Sequence, residues 1–197
     1  MTMKHLFLGL IASSVLALTA CNGNPEKKAV STEQATDQTA KTVPSANSAE
    51  STEKGNFSEL FSHYEHLTFA LSSDNDKEAA NASKGMLEAL SKVKSEGFTA
   101  EEKATYEDIA ADIQEHAEHI ADNIGNIAHQ REHLVTMSKD FYDIAKEFGT
   151  EKPLYKVYCS MYNDDKGAYW LSDSKEIKNP YYGASMLTCG EIQEELK

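Results

Sequence analysis

Between residues 56 and 149, apolar residues recur at the spacing of one α-helical face in four successive runs. The first run follows Asn56, which stands at capping-box spacing from Glu59. The second run extends from about Lys77 to Ser95, and Gly97 is placed to end it. Because four helices with short connections pack as an antiparallel bundle, we predict a mainly α fold of that kind, an antiparallel four-helix bundle.

The third run opens at Thr99, again at capping-box spacing from Glu102, and the fourth run ends at Gly149. Apolar and aromatic residues recur every seven positions across both runs, a pattern that one long helix would also produce. Gly125 interrupts this repeat between two asparagines, and glycine and asparagine are poor helix formers. We therefore predict a turn at residues 123–126 and two helices that fold back on each other.

After Pro153 the pattern of apolar residues changes from helical to alternating. Residues 154–159 predict a strand, residues 163–167 a turn and residues 168–171 a returning strand. The prediction is one domain over residues 56–197, in which about 154–197 form a small C-terminal β-hairpin and loop subdomain.

The N-terminal residues predict export and lipid attachment. Residues 1–20 combine a short basic start with an apolar stretch that is too short to span a bilayer, as in a secretory signal. The run Leu18-Thr19-Ala20-Cys21 resembles the lipobox of bacterial lipoproteins, in which the cysteine thiol is acylated. Residues 21–55 would then be a lipidated Cys21 and a polar, disordered linker. Because Asn22 rather than Asp follows the cysteine, the resemblance favours the outer membrane, with the protein facing the periplasm.

The net charge excludes one class of partner. The formal charge is −13, whereas a nucleic-acid backbone requires a basic surface. The same charge argues against a polybasic contact with anionic lipids, which leaves the acyl anchor as the predicted membrane contact. The sequence contains no recognisable nucleophile–base pair, phosphate loop or carboxylate pair, so we expect a protein that is not an enzyme.

Two sulfur pairs mark the C-terminal segment: Cys159 with Met161, and Met186 with Cys189. Thiolates and thioethers are the ligands that select Cu(I), so these four residues are candidate copper ligands. The alternative is a disulfide, because an acylated Cys21 leaves Cys159 and Cys189 as the remaining pair in an oxidising compartment. The two interpretations can coexist, since reduced thiols would bind Cu(I) and oxidation would close the site.

Six of the seven histidines fall into three local pairs, and residues three or four apart on a helix can chelate one ion. The pairs are His63 and His66, His116 and His119, and His129 and His133. If the last two helices are antiparallel around Gly125, His119 and His129 approach each other near the turn. His129 and His133 lie in a dense polar patch and are candidate additional metal ligands. The alternative, weighed evenly for His116 and His119, is that these are solvated or capping histidines.

Several motifs resemble DUF3347, a bacterial family of unknown function that is common in lipoproteins of Bacteroidetes. These motifs are the run from His129 to His133, Cys159-x-Met161, Gly167 to Ser172, Ile177-x-Asn179 to Gly183, and Met186-Leu187-x-Cys189-Gly190. Related domains end the periplasmic adaptor subunits of copper and silver efflux systems. The resemblance therefore implies a soft-metal role that faces the periplasm, with an efflux adaptor as candidate partner.

The chain departs from the family pattern at one position. The family usually has Cys-Pro-Met where this chain has Cys159-Ser160-Met161, so both sulfur ligands are kept but the fixed φ of proline is lost. We expect an envelope lipoprotein that binds a soft transition metal, above all Cu(I), and buffers it or passes it to efflux. The alternative is a structural or interaction module in which Cys159 and Cys189 form a disulfide staple.

Overall fold

The computed structural model describes residues 55–197. The predicted signal segment, the lipidated Cys21 and the linker as far as residue 54 lie outside the described residues. Within the described part, four long helices are followed by a small antiparallel sheet: α1 (Ser58–Ser72), α2 (Asp76–Leu90), α3 (Ala100–Asp122), α4 (Ile127–Phe148), β1 (Leu154–Cys159), β2 (Ala168–Ser172) and β3 (Glu191–Leu196). None of these helices is long and apolar enough to cross a membrane.

The start of α3 confirms the predicted capping box. The Glu102 backbone N–H donates to Thr99 Oγ1 at 3.2 Å, and the Thr99 N–H donates to Glu102 Oε2 at 2.7 Å. These two bonds satisfy amide groups that the first turn of a helix leaves without partners.

The capping box predicted for Asn56 and Glu59 is wrong. The N-cap of α1 is Phe57, and Asn56 Oδ1 instead accepts from the Ser58 N–H at 3.2 Å. Asparagine side chains readily bond the backbone two residues further on, which forms a turn and not a helix cap. Phe57 itself is buried against Phe98 and Phe148, so packing places the helix start one residue later.

The end predicted for α2 is also wrong, because the helix ends at Leu90 and not at Ser95. Just beyond it, the Ser91 hydroxyl donates to the Glu88 carbonyl oxygen at 2.7 Å, and the Lys92 N–H bonds the Ala89 carbonyl oxygen at 3.0 Å. A serine hydroxyl competes for helix carbonyl groups, and bonds to the third preceding residue tighten a last turn. Gly97, with φ of 97°, lies in the connection to α3.

The predicted break between the last two helices is confirmed, which excludes one continuous helix here. Helix α3 ends at Asp122, Gly125 has φ of 90°, and α4 starts at Ile127 after Asn126, whose side chain accepts from the His129 N–H at 3.3 Å. Tyr106 contacts Phe148 at the far end of the pair, while histidines contact each other near the turn. Helices α3 and α4 therefore run in opposite directions.

The C-terminal sheet contains the predicted hairpin and one more strand. All pairs are antiparallel and the order is β2-β1-β3, with Cys159 opposite Ala168 and Tyr158 opposite Glu191. The additional strand, β3, has a polar sequence and pairs with β1. Helix α4 packs on β2, and Trp170 of that strand is 2% exposed, as expected of a residue that packs the sheet against the helices.

A buried hydroxyl network links the helices to the sheet. Tyr64, which is fully buried and stacks on Phe141 at 4.2 Å between centroids, accepts from the Leu171 backbone N–H at 3.1 Å. Its hydroxyl also bonds Ser138 Oγ at 2.8 Å, and Ser138 lies 3.4 Å from the Tyr181 hydroxyl. The network holds α1, α4, β2 and the loop that contains Tyr181 in one packed unit.

Candidate metal centre

Three histidine rings converge at the turn between α3 and α4. His119 of α3 and His129 and His133 of α4 each offer a ligand nitrogen, and these atoms all lie within 4.8 Å of one another. The His119 and His133 rings stack at 4.5 Å between centroids, and the His129 ring stands at 90° to that of His133. The prediction that His119 and His129 approach each other near the turn is confirmed.

The arrangement follows from the local sequence. His129 and His133 are four residues apart, so their side chains lie on one face of α4. The tight turn at Gly125 brings α3 back beside that face, and His119 is one turn before the end of α3. Gln130, on the buried side of α4, fixes the register because its side-chain amide donates to the Ile120 carbonyl oxygen at 3.0 Å.

Each ring of α4 also has an outer hydrogen-bond partner. His129 Nδ1 lies 3.0 Å from Glu132 Oε2, and His133 Nδ1 lies 3.0 Å from His116 Nδ1. The two inner nitrogens, Nε2 of His129 and Nε2 of His133, lie 3.1 Å apart. Metal-binding histidines usually have such an outer partner on the nitrogen that does not bind the ion.

Electrostatics keep the central ring neutral. Partial burial, followed by repulsion from the neighbouring rings of His119, His129 and His116, lowers the pKa of His133 to about 4. Burial also lowers the pKa of His116. A neutral imidazole is the form that binds a metal, so His133 is available as a ligand well below neutral pH.

The three imidazoles fit a transition-metal site that is open on one side. With nitrogen–metal bonds of about 2.0–2.1 Å, ligand nitrogens in a tetrahedral site are about 3.4 Å apart. The observed upper limit of 4.8 Å means that the ligand nitrogens need to close by up to about 1.4 Å to hold an ion. His119 is exposed and His129 is 36% exposed, so an ion can reach the site from solvent.

The two cysteines are also brought together, at a different place in the fold. Cys159 at the end of β1 is buried, Cys189 is half-buried, and their Sγ atoms lie 2.9 Å apart as free thiols. The hydrogen bond from Cys159, followed by burial, raises the pKa of Cys189 to about 11. The separation is between the roughly 2.05 Å of a disulfide and the roughly 3.8 Å of two thiolates on a tetrahedral metal ion. Neither cysteine belongs to the histidine group.

The two predicted methionine ligands border the cysteine loop. Met161 is 49% exposed, and its carbonyl oxygen accepts from the Tyr182 hydroxyl at 2.8 Å. Met186 is half-buried, and its carbonyl oxygen accepts from the Cys189 N–H at 3.0 Å. Asn179, fully buried, donates to the Cys189 carbonyl oxygen at 2.6 Å and thereby fixes the loop.

Three members of the histidine site were not named as ligands from the sequence. His116 and His119 were weighed evenly against a solvated or capping role, and Glu132 was seen only as part of a polar patch. His116 and His133 lie at similar distances on either side of the turn at Gly125, so an antiparallel pair of helices places them side by side. This spacing is the sequence signal that relates His116 to His133. The remaining pair lies elsewhere, since His66 contacts Glu78 at 3.3 Å and the His63 ring packs against Gly85.

The resemblance to DUF3347 is confirmed over part of the chain. The model of this family, described as a protein family of unknown function, matches residues 60–153. The matched residues include all four helices except the first two residues of α1, and with them every histidine of the cluster. Cys159, Met161, Met186 and Cys189 lie beyond the match. No curated protein and no solved structure matches the chain.

Proposed function

We propose that the DUF3347 segment of this chain binds a transition-metal ion through His119, His129 and His133. The observation that carries the proposal is the convergence of three ligand nitrogens within 4.8 Å at the α3–α4 turn. Imidazole suits zinc, copper, iron and nickel, and an arrangement of three imidazoles leaves a position open for exchange. A site with an open position and solvent access suits an ion that is taken up and released.

Copper is the ion that we propose. Among divalent ions, copper binds nitrogen ligands most tightly in the general affinity order. The thiols of Cys159 and Cys189, with the thioethers of Met161 and Met186, form a second set of ligands that would favour Cu(I). The histidine site is the primary site in this proposal, because its three residues lie within the segment that the family model matches and the four sulfur ligands lie beyond it.

The cellular setting that we propose is the bacterial envelope. Cys21 would be the lipid anchor, and the protein would face the periplasm from the outer membrane. There it would buffer copper or pass it to an efflux adaptor, without an enzymatic reaction of its own. The proposal also includes the antiparallel arrangement of all four helices, for which the contacts of α1 with α2, α2 with α3 and α3 with α4 are the support.

A competition titration tests the metal proposal. The purified protein is titrated with Cu²⁺, with Cu⁺ under reductant and with Zn²⁺, each against a coloured chelator. Loss of a hydrogen-bond partner of a metal-binding histidine weakens metal binding by roughly 10–100-fold. We expect the double substitution His129→Ala and His133→Ala, which removes two ligands, to weaken Cu²⁺ binding by more than this. The matched control is His63→Ala with His66→Ala. Equal affinity in the site variant and the control would refute the proposal, and preference for zinc would refute its choice of ion.

A second function is favoured by the 2.9 Å separation of the Cys159 and Cys189 sulfurs. In this alternative the chain is a structural or interaction module, and a disulfide joins β1 to the C-terminal loop. Closing the loop between Cys159 and Cys189 with a disulfide would stabilise the fold by about 3 kcal/mol. A thiol count on protein isolated without reductant tests it. Two reactive thiols per folded domain would contradict the staple, and none would favour it.

A further inference from the structure

Four side chains at the candidate metal centre form a continuous hydrogen-bonded relay. The relay runs from His116 Nδ1 to His133 Nδ1 at 3.0 Å, from His133 Nε2 to His129 Nε2 at 3.1 Å, and from His129 Nδ1 to Glu132 Oε2 at 3.0 Å. Every distance is that of a made hydrogen bond. His133 occupies the centre, with both ring nitrogens engaged.

The carboxylate at one end sets the direction of the relay in the metal-free protein. An ionised Glu132 can only accept, so His129 Nδ1 must carry the proton and its Nε2 must be an acceptor. His133 Nε2 then donates to His129, and because neutral His133 has one N–H, its Nδ1 must accept. The donor that remains for that nitrogen is Nδ1 of His116.

Metal binding requires the central bond of this relay to open. An ion held by Nε2 of His129 and of His133 takes the place of the proton between them. His133 must then carry its proton on Nδ1 and donate it to His116, whose own proton moves to Nε2. No proton is lost in this exchange of tautomers. His116 can therefore serve His133 in both states, as acceptor with metal and as donor without it.

Resting on the proposed metal function, we propose that Glu132 and His116 are positioning residues of the site. Glu132 fixes the His129 tautomer that presents Nε2 to the ion, and His116 does the same for His133 by accepting from its Nδ1. Outer partners of metal-binding histidines contribute roughly 10–100-fold to metal affinity. Glu132 is 67% exposed, so its contribution belongs at the low end, and half-buried His116 belongs higher.

The test measures zinc affinity and ring tautomers in the full-length protein. Zn²⁺ binding is measured by competition with a coloured chelator in wild type, Glu132→Gln, His116→Phe and His116→Asn. We expect Glu132→Gln to weaken binding about tenfold and His116→Phe by roughly 10–100-fold. His116→Asn keeps an acceptor near the position of Nδ1 and should recover most of that loss. The matched controls, Glu118→Gln for the charge and His66→Phe for the ring, should change affinity less than twofold.

Tautomers are observed by long-range ¹⁵N–¹H NMR of histidine-labelled protein. Without zinc, His133 should be protonated on Nε2 and His116 on Nδ1, and with zinc His133 should be protonated on Nδ1 and His116 on Nε2. Zinc on Nε2 moves the His133 proton whatever its partner does, so the exchange at His116 is the readout that a merely structural His116 would not show. Failure of wild type to bind zinc would overturn this inference, whereas the proposed function falls only if wild type also fails to bind Cu²⁺ in the competition titration. Zinc binding by wild type with unchanged affinity in Glu132→Gln and His116→Phe would overturn this inference alone, as would a loss in His116→Asn equal to that in His116→Phe.

Discussion

Asp140 of α4 is the clearest destabilising group among the described residues. The residue is 8% exposed, and its Oδ2 atom is buried without a hydrogen-bond partner there. Burial, followed by repulsion from the carboxylates of Asp112 and Asp143, raises the pKa of Asp140 to about 7. The folded protein therefore holds this carboxyl neutral at a pH where the unfolded chain has lost the proton.

The sign of the effect on stability follows from proton binding. Because the folded state binds the Asp140 proton more tightly, the free energy of unfolding falls as pH rises from about 4 until the folded carboxyl ionises near pH 7. A shift of about three pKa units corresponds to about 4 kcal/mol in total. Of this total, the free energy of unfolding loses about 2 kcal/mol between pH 5.5 and 8.5. Asp140→Asn removes this loss, since an amide does not titrate.

Urea unfolding followed by circular dichroism measures the effect at pH 5.5, 6.5, 7.5 and 8.5. The stability of Asp140→Asn relative to wild type should increase by about 2 kcal/mol across this series. Glu147→Gln, which removes an exposed carboxylate from the same helix, should show no such trend. A difference between Asp140→Asn and wild type that stays constant within about 0.5 kcal/mol would refute the raised pKa and the reasoning from burial.

Two further substitutions test contacts that hold the fold together. Tyr64→Phe leaves the buried Leu171 N–H without its acceptor, so the free energy of unfolding in urea should fall by about 1–3 kcal/mol. A loss below about 0.5 kcal/mol would contradict the role of the hydroxyl network. The Arg131 side chain is 11% exposed, and it donates charge-assisted hydrogen bonds to Asp74 at 2.6 Å and to the Pro180 carbonyl oxygen at 2.8 Å. Arg131→Met removes both bonds. The substitution should lower the free energy of unfolding by about 2–4 kcal/mol and increase hydrogen exchange in the loop of residues 179–185. Unchanged exchange would show that Arg131 does not anchor this loop.

Much of the helical fold could be predicted because several local signals agree. The capping box at Thr99, the apolar repeat and the break at Gly125 all lie within one or two turns of the structure that they determine. They predicted α3 and α4 to within a residue at most boundaries. The alternation after Pro153 predicted β1 and β2 in the same way, because each strand of a half-buried hairpin has its own apolar face.

The errors occurred where tertiary contacts decide. Asn56 offered a plausible cap, but burial of Phe57 against aromatic residues far along the chain places the helix start elsewhere. Strand β3 has a polar sequence, and its partner strand β1 lies more than thirty residues earlier, so local pattern could not assign it. Its Glu194 accepts from the Tyr142 hydroxyl at 2.8 Å, a long-range contact that no spacing rule predicts.

The candidate site could be predicted from the sequence only because the antiparallel pairing of α3 and α4 could be predicted. Once the turn at Gly125 is accepted, simple counting brings His119 beside His129, and i to i+4 spacing adds His133. The outer partners depend on side-chain rotamers, so the contact of His116 with His133 became visible only in three dimensions. The two cysteines lie close together, as their sequence context suggested, whereas their separation from the histidine group could not be predicted.

X-ray absorption at the zinc edge tests the central claim most directly, because it reports which atoms surround the ion. The protein is loaded with one equivalent of Zn²⁺ at neutral pH. A site of histidine ligands should show a first shell of nitrogen scatterers at about 2.0–2.1 Å, with the outer-ring scattering that identifies imidazole. That shell should be lost in His129→Ala with His133→Ala and should persist in Cys159→Ser with Cys189→Ser. A shell dominated by sulfur at about 2.3 Å, unchanged by the histidine substitutions, would contradict it.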